Sequence, residues 1–272
     1  MEDWQPASPR NPSALRREFS RMARVPARRQ ALARLLGAWA AALGLPGLAR
    51  AVQGADACVA LPEETAGPYP ANGAGPADAP NVLSLPGIVR NDLRASVGGP
   101  TGVAGGAPLR LTLKLADARN DCIALPGRAV YLWHCTQDGG YSLYTPGLRE
   151  ENFLRGVQVA DANGEVTFQT IFPGCYPGRY PHLHIEVYQD LERLGHKLLT
   201  SQLALPSDAC GAVYGEVRGY EASLKAYART SLERDGIFAD SSPAERAAQT
   251  LRLQGDPEKG YAGHAVIGLL DY

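Results

Sequence analysis

The segment His182-Leu183-His184-Ile185-Glu186-Val187-Tyr188 alternates apolar and polar residues with the period of a β-strand. Leu183, Ile185 and Val187 fall on one face and belong to a core; His182, His184, Glu186 and Tyr188 share the other. Two imidazoles at i and i+2 then project side by side, a spacing suited to gripping one metal ion, although two solvated histidines would give the same pattern. Just upstream, the two Pro-Gly turns of IFPGCYPGRYP fold the chain back onto the start of that strand and bring Tyr176 within reach of the same ion. Tyr141 follows the turn Asp138-Gly139-Gly140. With 12 tyrosines in the chain, a core or rim aromatic accounts for either one taken alone. His196 and His264 have no motif around them and read as solvated or structural.

The elements that must position these groups are strands. Leu109, Leu111, Leu113 and Leu115 alternate with polar residues in one half-buried strand. Ala129 to Cys135 is apolar on both faces and therefore central. The turn Asp161-Ala162-Asn163-Gly164 introduces Glu165 to Gln169, and Leu198 to Leu205 and Ala265 to Leu270 supply two more strands. Tyr220, Leu224, Ala228 and Leu232 recur every four residues, which predicts one helix from about Glu216 to Asp235. Residues 52–108 are rich in Gly, Ala, Pro and Asn and predict an irregular arm over the surface of a domain spanning 109–272. Short strands separated by turns predict an all-β sandwich with long loops and a C-terminal helix.

Apolar residues make up 45% of the chain, enough for a sizeable core, and the net charge of -1 gives no reason to expect nucleic acid as a partner. Residues 1–51 differ from the rest. Arginines 10, 16, 17, 21, 24, 28, 29 and 34 precede the apolar run Leu35 to Leu45, and Ala49-Arg50-Ala51 follows Pro46. Charged region, short apolar region and small-residue site are the parts of an export signal. The run is about eleven residues, too short for a stable span of a bilayer of roughly 30 Å. Arg28-Arg29 resembles a twin-arginine signal, with Ala31 where a bulky residue is usual, and Met22 is an alternative start. An exported protein could join up to two disulfides among Cys58, Cys122, Cys135, Cys175 and Cys210.

Four stretches, taken together, resemble the intradiol ring-cleavage dioxygenases, the family of protocatechuate 3,4-dioxygenase and catechol 1,2-dioxygenase. The first runs from Gly127 to Ser142: Gly127-Arg128 leads into the central strand, Ala129-Val130-Tyr131-Leu132-Trp133-His134-Cys135, and three residues later comes Gly139-Gly140-Tyr141-Ser142. The others are ENFLRGVQ (Glu151 to Gln158), TIFPGCYPGR (Thr170 to Arg179) and HLH (His182 to His184), in family order and near family spacing. Leu61 to Tyr69, LPEETAGPY, is similar to the loop motif at the family's active-site mouth. The resemblance runs from about Leu109 to Leu205. It implies a sandwich of the intradiol dioxygenase or transthyretin-like type, with one Fe(III) per chain held by Tyr141, Tyr176, His182 and His184. Phenolates are hard anionic donors that favour the ferric state. The implied substrates are a catechol-type diol and O₂, and the implied product is a muconate-type diacid. Tyr176 matches the tyrosinate that leaves the metal and takes a substrate proton, and Arg179 matches an arginine that stabilises negative charge on the ring. Tyr69 and Gln202 match pocket residues. Family position and strand parity make His134 a buried, hydrogen-bonded histidine.

Two departures stand out. No helical N-terminal segment of the catechol 1,2-dioxygenase kind reads from residues 52–108, and the gap between the second tyrosine and the histidines is short. With Cys175 where an aromatic often stands, the chain resembles the compact, exported branch, and both monomer and homodimer stay open. Two other readings compete. His182, His184 and Glu186 could form a two-histidine, one-carboxylate site for Fe(II) or Zn(II). The same sandwich could also serve as a transthyretin-like binding module without metal.

Overall fold

The computed structural model describes residues 58–76 and 78–270; the expected export signal and the first residues of the arm lie outside the described residues. Two sheets face each other. The first runs β2 (Ile123–Ala124), β1 (Pro108–Asp117), β9 (Gly260–Leu269), β8 (Arg252–Asp256), with β5 (Glu165–Ile171) paired to β1. The second runs β4 (Arg155–Val159), β3 (Ala129–Trp133), β6 (His182–Tyr188), β7 (Lys197–Ala204), antiparallel throughout. Leu111, Leu113, Leu115, Val166 and Phe168 from one sheet meet Val130, Leu132, Leu183, Ile185 and Val187 from the other in the main core. The alternation that marks these strands is thus the alternation of core and opposite face.

Every residue of β3 and β6 is buried, so the outer face of the second sheet is covered too. What covers it is the arm. Ala71, Val82 and Ile88 pack there on Tyr131, Trp133, Val157 and Tyr188. The arm contains no regular element within the described residues and meets the sheets through isolated bridges such as Val89 to Val157 and Asp92 to Gln169. Side chains satisfy several more of its backbone groups. Arg155 Nη1 donates to the Tyr69 and Pro70 carbonyls, Tyr131 Oη to Pro70 O, Ser201 Oγ to Pro62 O and Gln202 Nε2 to Thr65 O.

The structure corrects the C-terminal helix. The chain forms α1 (Ser207–Glu216), α2 (Glu221–Tyr227), a 3₁₀ turn (Leu232–Arg234) and α3 (Pro243–Gln249). Gly219, at φ +96°, breaks the run, because a left-handed residue ends a right-handed helix. The four-residue stripe is also not the buried face: Leu224 is 43% exposed, while Ser223 and Ala226 are buried. A second difference concerns the closing strand. It begins at Gly260 and lies inside its sheet, parallel to β1, with β8 on its other side. Strands β2, β4 and β8 were not anticipated. Of the cysteines, Cys58, Cys135, Cys175 and Cys210 are free thiols, the last three buried in the core, so no bridge joins these four. Among the described residues no helix is long and apolar enough to cross a membrane.

Candidate metal centre

His182 and His184 stand on the arm-covered face of β6, as strand parity requires, and both are buried. Two loops bring the tyrosines to them. Thr136 ties these loops together: its hydroxyl accepts from Gly140 N, its amide donates to Gly140 O, and its carbonyl accepts from Gly174 N. Gly139, at φ +91°, makes the approach possible. A Cβ there would sit 3.0 Å from the Cys175 carbonyl and 3.1 Å from Tyr176 Cβ. From α2, the buried Ser223 hydroxyl accepts from Cys175 N at 2.8 Å and donates to Gln137 O at 2.6 Å, joining the same two loops.

Four donor atoms converge as a result. Tyr141 Oη is 3.2 Å from His184 Nε2, and Tyr176 Oη is 3.1 Å from His182 Nε2. The two Nε2 atoms are 3.1 Å apart, and the two phenolic oxygens 3.4 Å. His182 Nδ1 donates to the Tyr180 carbonyl at 2.5 Å, which fixes the tautomer and turns the Nε2 lone pair inward. Trp133 stacks on His184, centroids 4.8 Å apart and planes within 6°, and holds that ring's plane.

Burial pushes the Tyr176 phenol up to about 12, the Tyr141 phenol well above its ordinary value, the His182 imidazole down to about 3 and that of His184 well below normal. The neutral His182 imidazole thus turns its Nε2 lone pair towards His184 Nε2, 3.1 Å away. All four atoms can donate a lone pair to one cation at their centre. Neighbours 3.1–3.4 Å apart leave that centre about 2 Å from each atom, an ordinary metal–nitrogen or metal–oxygen length. The residues therefore fit a metal, and with both phenols ionised they supply two negative charges to a hard cation.

The competing carboxylate set does not assemble. Glu186 shares the face of His184, but its carboxylate faces other partners: Asn72 at 2.9 Å, Tyr188 Oη at 2.6 Å and Lys197 Nζ at 3.3 Å. Among the described residues no three His, Cys, Asp or Glu side chains gather as a metal site. His134 is also elsewhere. It is buried with Nδ1 against Cys135 O at 2.8 Å and Nε2 against Thr170 Oγ1 at 2.7 Å, the structural role expected of it. His196 and His264 are exposed.

The other expected residues lie around the four donors. Arg179 Nη1 lies 3.4 Å from His182 Nε2. Gln202 is buried, with its oxygen on Arg179 Nη2 at 2.6 Å and its amide on Thr65 O, so both its ends are engaged within the protein. Tyr69, 37% exposed, has its ring 4.9 Å from that of Tyr141 and 5.1 Å from that of Tyr144. Gly67, at φ +70°, carries the arm past His184, whose Cε1 would be 3.4 Å from a Cβ there. Sequence reasoning missed Trp133, Arg155 and Asp235. Arg155 stood in the ENFLRGVQ motif, the one signal that could have found it. It is fully buried and donates to Ser142 Oγ and O beside Tyr141, as well as to the arm.

A family model described as dioxygenase matches residues 92–210. The chlorocatechol 1,2-dioxygenase of Rhodococcus opacus is 30% identical over 41% of this chain and 51% of its own length. The catechol 1,2-dioxygenase of a Pseudomonas strain, EST1001, is 26% identical over 31% of this chain and 32% of its own. This chain thus spans about half the length of the first relative and about a third of the second. Among solved structures, an intradiol ring-cleavage dioxygenase from Tetranychus urticae superposes with a TM-score of 0.57 at 26% identity, covering 78% of this chain and 94% of that one.

Proposed function

We propose, for a chain that belongs to the intradiol ring-cleavage dioxygenases, that Tyr141, Tyr176, His182 and His184 hold one Fe(III) and that the site opens catechol-type rings between their two hydroxyl-bearing carbons. The observation that carries this reading is the closed ring of two phenolic oxygens and two inward imidazole nitrogens, with neighbours 3.1–3.4 Å apart. When bound, the ferric ion would supply Lewis acidity and accept electron density from the diol, opening the ring to O₂.

The chain's own groups do the rest. Tyr176, less buried than Tyr141, is the phenolate free to move and to take a hydroxyl proton from the arriving diol at Oη. Arg179, beside His182 and held at the rim, faces the negative charge that the deprotonated ring carries. Tyr69 offers an aromatic face at the mouth, and the arm keeps water from the sheet face on which the donors stand. Both atoms of O₂ end in the product, so diol plus O₂ balances a muconate-type diacid with no further reductant.

Oxygen uptake by the purified ferric protein against catechol, protocatechuate, hydroxyquinol and chlorocatechols, with product mass, tests the reaction. Uptake with a product two oxygens heavier than the diol is expected; no uptake with any of them sinks it. Colour tests the ligands: phenolate-to-iron charge transfer makes the protein red to burgundy, with iron near one per chain. A colourless protein would exclude the two-tyrosine site. The Arg-rich segment and apolar run of residues 1–51 support export of this enzyme. Cell fractionation with Arg28→Lys and Arg29→Lys together should retain the protein inside; unchanged export would rule out the twin-arginine route.

A further inference from the structure

We infer that Asp235 is a positioning residue for ring cleavage: its carboxylate fixes the Arg179 guanidinium at the mouth of the donor ring. The inference rests on the function proposed above. Arg179 Nε donates to Asp235 Oδ2 at 3.0 Å, Nη2 donates to Gln202 Oε1 at 2.6 Å, and Nη1 is the nitrogen left beside His182. The Asp235 side chain is wholly buried, and that of Arg179 is 13% exposed. The carboxylate is itself pinned. Its Oδ2 accepts from Tyr180 N at 2.6 Å and its Oδ1 from Ile237 N at 2.9 Å. Because Tyr180 follows Arg179 in the chain, one carboxylate grips both the guanidinium and the backbone that carries it. Gln202 is held in the same way by Thr65.

This arrangement answers a specific difficulty. An arginine side chain is long and rotamer-rich, and a cation stabilises developing charge well only if it is already aimed when the charge appears. Two of the three nitrogens are clamped by buried partners, so the third is aimed without reorganisation. Asp235 also balances the guanidinium charge at rest, which lets a cation sit beside the metal ligands in a site with little water. Asp235 lies beyond the matched residues 92–210, just after the 3₁₀ turn Leu232–Arg234. The helical segment between β7 and β8 thereby reaches into the site.

The test compares Asp235→Asn, Asp235→Glu, Arg179→Met and the double variant Asp235→Asn/Arg179→Met in iron-loaded protein, by oxygen uptake with catechol. Asp235→Asn should lower kcat about tenfold to a hundredfold with KM within about threefold, while iron content and the visible band stay unchanged. Asp235→Glu should restore part of the rate. In the Arg179→Met background the Asn change should have no further effect, because Asp235 acts through Arg179. A kcat for Asp235→Asn within about twofold of wild type, or an equal fall in both backgrounds, would overturn the inference. Should Asp235→Asn not fold, Arg179→Lys decides, since lysine keeps the charge but cannot fill three partners. A rate as low as that of Arg179→Met supports the clamp, and more than about a third of the wild-type rate overturns it. Nuclear magnetic resonance of the metal-free protein separates the two readings. A slowly exchanging Arg179 Nε–H signal, lost in Asp235→Asn, would uphold the clamp even where wild-type protein cleaves no ring and the proposed function fails. A signal exchanging as fast in wild type as in the variant would overturn the clamp while leaving that function standing.

Discussion

His134 and His184 are both buried imidazoles, yet their surroundings give them different work. His134 spends both nitrogens on Cys135 O and Thr170 Oγ1, whereas His184 turns Nε2 to the donor ring and is braced by the Trp133 ring. Burial holds His134 down to about 4, below the ordinary 6.5. Between those values the unfolded chain binds a proton that the folded chain refuses, so stability falls as the pH drops through the window, by about 3 kcal/mol for this group. Urea titrations of iron-loaded protein at pH 7 and 4.5 should show that loss, and His134→Gln should flatten it. A variant with the same slope would move the effect elsewhere. For the metal, His184→Ala and Tyr176→Phe should each lose most bound iron, read by elemental analysis and the visible band. Retained iron in both would break the four-donor assignment. The four donors were legible from residue type, strand period and family resemblance. The roles of Trp133, Arg155 and Asp235 were not: the first two stood in motifs without a function attached, and Asp235 reaches the site through long-range packing that no local pattern encodes.

The elements that matter most for the site are the two loops that carry Tyr141 and Tyr176, and their closeness is built from small and hydroxyl residues. Gly139→Ala combines a left-handed φ of +91° with a Cβ 3.0 Å from the Cys175 carbonyl. It should cost about 1–3 kcal/mol in thermal melts and weaken iron retention against a chelator. Unaltered chelator kinetics would show that the loops find their places without that contact. Ser223→Ala removes the hydroxyl that serves Cys175 N and Gln137 O, leaving buried groups unpaired at a similar cost of about 1–3 kcal/mol. The sequence placed β1, β3, β5, β6 and β7 within a few residues because their alternation follows burial. It misjudged residues 216–235, where Ser223, and not Leu224, faces inward. An apolar stripe cannot reveal a polar residue that is buried for its hydrogen bonds.

At the scale of the whole molecule, the sandwich supplies a rigid face and the arm supplies its cover. Arg155 joins the two, meeting Tyr69 O, Pro70 O, Tyr131 Oη and Ser142 with its guanidinium. Arg155→Lys keeps the charge but not the fork geometry. It should free the arm to limited proteolysis and lower the melting temperature by several degrees, about 2 kcal/mol. An arm as resistant as in wild type would show that its apolar contacts with Tyr131 and Trp133 suffice. The all-β class was legible because two-residue periods and turns recur along the chain. The arm's course was not, since it is held by isolated backbone bridges and by side chains reaching its carbonyls one by one.

Strand β9 lies within its sheet, with Leu109 of β1 paired to Tyr261, 152 positions later (261 minus 109). While the chain is being made, β1 can acquire β5 early, but its other edge stays open until Gly260–Leu269 has emerged from the ribosome. Such distant pairing is slow to form, and an unpaired edge is a template for aggregation in the interval. A half-finished sheet therefore has an edge to shield, and tags or fusions placed close behind Leu269 should disturb the last seam to close.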